Sequence, residues 1–166
     1  EGKLAEEPVK IGIAVGGRKD KNIWTLKSGN YDFYDLKGYV ENFFEFMGIK
    51  SCTFTKSTNP AFHPGRAADV TIGRDTIGVF GEIHPDVADN MGLKERVYVA
   101  EFDLETMTKY MKNRVNYKRI GKYPAVERDI AVILNDDMPV GAMTGDIKKA
   151  GDIVEKVEIF DAVPMI

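Results

Sequence analysis

The first element shows as strict alternation of apolar residues with small or polar ones. Val9-Lys10-Ile11-Gly12-Ile13-Ala14-Val15 puts its β-branched side chains on one face and stops at Gly16-Gly17, which predicts a half-buried strand and a turn. The period then changes. Phe33, Leu36, Val40, Phe43, Phe44 and Met47 recur at helical spacing, predicting an amphipathic helix from Asp32 to Met47 with Gly48 as its C-terminal cap. Phe43, Phe44, Phe46 and Met47 spread beyond a single stripe. That is the pattern of a deep core helix or of one buried against a partner, and the sequence does not choose.

Short elements follow. A strand is predicted near Cys52 to Thr55, then an irregular loop from Asn59 to Arg66, because two prolines and a glycine oppose a regular element. Ala68 to Ile72 and Thr76 to Ile83 read as a hairpin turning at Gly73-Arg74-Asp75. Pro85 and Asp86 suit the first turn of a short helix that Gly92 ends. Val97 to Phe102 is apolar on both faces in its first half, as a central strand would be. Leu104, Met107 and Met111 fall on one side of a further short helix. Beyond Pro124, Arg128 to Leu134 and Val157 to Phe160 read as strands around a helix from Val140 to Ala150, with Asn135-Asp136-Asp137 as its capping turn.

The chain has 166 residues, room for one domain and part of another. Hydrophobic residues are 43% and charged residues 30%, the balance of a globular protein. No apolar run approaches the roughly 20 residues of a bilayer span and no secretory leader opens the chain, so no membrane partner and a cytoplasmic location are expected. One cysteine, Cys52, excludes an intramolecular disulfide and reads as an apolar filler rather than a reactive thiol.

A net charge of −3 gives no whole-chain sign of nucleic-acid binding, but the basic residues cluster. Lys112, Arg114, Lys118, Arg119 and Lys122 stand between Lys109 and Arg128 against the single acid Glu127, a pattern that more often marks a solvated linker or helix face. Farther on, Arg128, Lys148, Lys149 and Lys156 are candidates for contact with nucleic-acid phosphates. Arg128, beside Asp129, serves equally as a salt-bridge partner at the start of a domain.

His63, Arg66, Asp69, Glu82, His84 and Asp86 offer two imidazoles and three carboxylates, which opens the alternative of a stand-alone metal-dependent hydrolase built on the His63 and His84 loops. The spacing argues otherwise. Both histidines precede proline and no His-x-x-x-His pattern occurs. A hydrogen-bonded network of His63, Arg66, Asp69, Glu82 and His84 that anchors loops is expected, with no metal site and no catalytic residue.

Four stretches together resemble one family. Asp32-Phe33-Tyr34-Asp35-Leu36-Lys37-Gly38, the Phe-His-Pro-Gly-Arg-Ala-Ala-Asp run from Phe62 to Asp69, and Gly81-Glu82-Ile83-His84-Pro85 resemble the core-like region of the bacterial phenylalanyl-tRNA synthetase beta subunit. Tyr123-Pro124-Ala125-Val126-Glu127-Arg128-Asp129-Ile130-Ala131 is similar to the opening of that subunit's last, ferredoxin-like anticodon-binding domain.

The resemblance implies an α+β fold. It would consist of a linker from upstream over 1–8, a non-catalytic domain over 9–111 with an antiparallel sheet and flanking helices like a class II synthetase core, and a basic linker over 112–124. Residues 125–166 would then be the first half of a ferredoxin-like domain, a truncated βαβ segment. Ala162 to Ile166 departs from the family pattern, which continues with an aromatic residue and a glycine. The implied function is that of part of the phenylalanine–tRNA ligase beta subunit, scaffolding the catalytic alpha subunit in an alpha2-beta2 assembly and helping to bind tRNA for phenylalanine. ATP and magnesium would serve the holoenzyme, with no cofactor in this segment. Arginines of the kind that hold ATP in class II cores are missing: Gly16-Gly17-Arg18 leads into Lys19-Asp20-Lys21-Asn22 rather than an apolar helix, and Val97 to Asp103 carries no arginine.

Overall fold

The computed structural model describes residues 7–19, 29–49, 51–111, 124–135 and 138–161. Trp24, the basic stretch over 112–123, Asp136, Asp137 and the tail over 162–166 lie outside them, as does most of the upstream linker. The chain divides into two compact units, Glu1–Lys118 and Arg119–Ile166.

In the first unit, strands β1 (Lys10–Gly16), β2 (Thr53–Lys56), β3 (Phe62–Ile72), β4 (Asp75–Ile83) and β5 (Val97–Asp103) form one sheet in the order β1-β5-β4-β3-β2. Every neighbouring pair is antiparallel. Helix α1 (Phe33–Phe46) packs on one face, while α2 (Pro85–Asn90) and α3 (Leu104–Thr108) flank β5 in sequence. This is the mixed fold with an antiparallel sheet that the resemblance implies, built from the strands and helices that the periodicities predict. β5 lies between β1 and β4, as its two apolar faces require.

Local chemistry fixes the helix ends. Asp32 Oδ1 accepts from the N–H groups of Tyr34 and Asp35, at 2.8 and 3.0 Å, and Asp35 Oδ2 accepts from Asp32 N–H at 2.8 Å. Together they make a reciprocal capping box. At the other end Gly48 takes φ 72°, which lets Gly48 N–H reach Glu45 O and Ile49 N–H reach Phe44 O.

The core lies between α1 and the sheet. Leu36, Val40 and Phe44 face Phe80, Ala100 and Phe102, and Met107 of α3 closes one side. Phe44 meets Phe102 edge-on at 5.0 Å between centroids, and Phe33 stacks on Phe80 at 5.2 Å. Each such side chain taken fully out of water contributes about 1.5–3 kcal/mol.

Two expectations need correction. β3 begins at Phe62, inside the stretch whose prolines and glycine suggest an irregular loop. The ladder accommodates them by a wide irregularity: Phe62 pairs with Ile83 and Ala67 with Gly81, so residues 63–66 stand against Glu82 alone. Pro64 falls where no ladder hydrogen bond is asked of it.

The second correction concerns the other unit. Helix α4 (Val140–Lys149) forms where its period places it, but Arg128 to Leu134 and Val157 to Phe160 are not strands here. A strand is held by a ladder partner and by burial of one face. Neither segment has either among the described residues. The cap differs too: Pro139 is the N-cap of α4 and makes no side-chain hydrogen bond to it.

Candidate functional site

The candidate residues fall in two separate groups, one in each unit. In the first, the hairpin of β3 and β4 sets Arg66 beside Glu82, and Glu82 pairs in register with Tyr98 of β5. Arg66 Nη1 donates to Glu82 Oε2 at 2.7 Å, and Arg96 Nε lies 3.7 Å from Glu82 Oε1. Glu82 is buried, whereas the two arginines keep much of their side-chain surface in water. Burial pushes the Tyr98 hydroxyl pKa up, with Glu82's negative charge adding to it and Arg96 opposing. Arg96 is the member that reading the sequence missed. It stands just before β5, 14 residues from Glu82 in sequence, and nothing local signals the contact.

The histidines do local work. His63 Nδ1 accepts from Gly65 N–H at 3.1 Å, and His84 Nδ1 accepts from Asp86 N–H at 3.2 Å as the N-cap of α2. Each imidazole thereby spends one ring nitrogen on its own turn, ahead of a proline that cannot donate. Asp69 alternates onto the other side of β3 from Ala68 and Val70, opposite Val79. The structure thus brings Arg66 and Glu82 together, gives His63 and His84 separate turns, and leaves Asp69 apart. Among the described residues no three His, Cys, Asp or Glu side chains gather as a metal ion needs.

Cys52 is half-buried against the core, and burial raises its thiol pKa, the opposite of what a nucleophile requires. Among the described residues no helix is long and apolar enough to cross a membrane.

In the second unit the candidate cations are all exposed. Lys148 and Lys149 occupy the last turn of α4, where positive charge complements the helix dipole. Lys149 Nζ lies 3.6 Å from Asp146, and Lys156 is paired with Glu158. Arg128 turns back to donate to Glu127 O at 3.1 Å. Lys148 and Arg128 have no ion pair among the described residues. Surface pairs of this kind contribute little and exchange readily for a ligand.

Residues 1–104 match the family model described as the phenylalanyl tRNA synthetase beta chain CLM domain. The chain is 46% identical over 159 residues to the phenylalanine–tRNA ligase beta subunit of Fusobacterium nucleatum, which covers 95% of this chain and 20% of that protein. It is 40% identical over 146 residues to the subunit of the same name from Clostridium acetobutylicum, covering 86% of this chain and 18% of that one. The match to the Symbiobacterium thermophilum subunit is 35% over 160 residues, or 96% and 18%. The chain therefore spans about a fifth of the length of these relatives.

Proposed function

Because the chain belongs to the phenylalanyl-tRNA synthetase beta chain family, we propose that it is a scaffolding and tRNA-binding part of phenylalanine–tRNA ligase. Residues 9–111 act as a non-catalytic domain of class II core type that braces the alpha subunit of an alpha2-beta2 enzyme. Residues 112–124 link it to residues 125–166, the first half of a ferredoxin-like anticodon-binding domain. The assembly works in the cytoplasm on tRNA for phenylalanine. The observation that carries the reading is similarity running through both units, 46% identity over 95% of the chain. It favours a ligase over a hydrolase built on His63 and His84.

The similarity to the beta subunit supports the non-catalytic role. ATP and magnesium are the holoenzyme's requirements. No step through either is assigned to this segment. What the segment supplies is position: a closed aromatic core under a rigid sheet, and exposed cations at Arg128, Lys148, Lys149 and Lys156 to meet RNA phosphates.

Titration of the chain with tRNA for phenylalanine across a range of salt tests this. A log–log slope of about 0.7–0.9 per phosphate contact is expected, reduced by about one contact in Lys148→Gln. Absence of binding at low salt would remove the RNA role.

A further inference from the structure

We draw no further inference here: the strongest candidate, the side-chain cluster of Arg66, Glu82, Arg96 and Tyr98 across β3, β4 and β5, belongs to the site already described, where the buried Glu82 carboxylate accounts for both guanidiniums and nothing in the structure points to a ligand between them.

Discussion

Arg66 Nη1 lies 2.7 Å from Glu82 Oε2, and the hairpin between them in sequence is what brings them together. The pair is asymmetric: 40% of the Arg66 side chain is exposed but only 5% of Glu82. Losing the arginine strands a buried carboxylate with Arg96 at 3.7 Å, whereas neutralising the glutamate frees the arginine to turn to water. Arg66→Met should therefore lower the denaturant midpoint more than Glu82→Gln. The double variant should be less destabilised than the sum of the singles, because both remove one interaction. Equal midpoints, or the reverse order, would show that the pair is not what holds the residues over 63–66 in place.

Three glycines in the sheet should respond differently to alanine. A Cβ at Gly78 would lie 2.1 Å from Glu101 O and 2.4 Å from Phe102 Cδ1, and one at Gly81 2.5 Å from Arg66 O. At Gly12 the nearest atom is 3.9 Å away. Gly78→Ala and Gly81→Ala should cost about 3 kcal/mol or prevent folding, since backbone cannot yield as a flexible side chain can. Gly12→Ala should stay within about 0.5 kcal/mol. Chemical denaturation of the three variants decides, and a tolerated Gly78→Ala would contradict the β4–β5 register.

Two phenylalanines of α1 separate in the same way. Phe44 is 1% exposed against Phe102, and Phe46 is 87% exposed. Phe44→Ala should lose about 3–5 kcal/mol and Phe46→Ala about 0.5 kcal/mol or less. A large loss for Phe46→Ala in the isolated chain, measured by thermal or urea unfolding, would place that side chain inside a contact this fold does not contain.

Acid should unfold the first unit partly through its helix caps. The Lys19 ammonium, and next the Asp32 backbone N–H, hold the Asp35 carboxyl below its usual pKa, and the Thr106 backbone N–H does the same for Asp103. A depressed carboxylate stabilises the fold fully above its unfolded value near 3.9, and that contribution is lost as pH falls through the lower folded value. Asp35→Asn and Asp103→Asn should each be less stable than the parent at pH 7 and lose less on acidification below about pH 4. Unfolding free energies at several pH values check this, and parallel curves for parent and variants would refute it.

Much of the first unit was legible in the chain because its signals are local. The alternation from Val9 to Val15, the helical spacing from Phe33 to Met47, Asp32 as a cap and Gly73 and Gly92 as turns each depend on residues a few positions apart. The Arg66–Glu82 pair was half legible. Both residues could be named, but their contact follows from the β3–β4 register and the wide irregularity at residues 63–66, and the prolines there misread as the end of regular structure. In the second unit the β-branched-rich stretch from Arg128 to Leu134 carries strand propensity without a strand, since propensity supplies neither a ladder partner nor a covering layer.

The sequence by itself determined which segments of the first unit bury a face, where α1 and α2 start and stop, and, through its resemblances, the family. Tertiary structure alone decided the strand order β1-β5-β4-β3-β2, the recruitment of Arg96 to Glu82, the separation of Asp69 from that pair, and which α1 phenylalanine enters the core. The reason is range. Caps and periodicity act over one or two turns of backbone, while strand order, ion pairing across strands and depth of burial depend on residues tens of positions apart meeting in space.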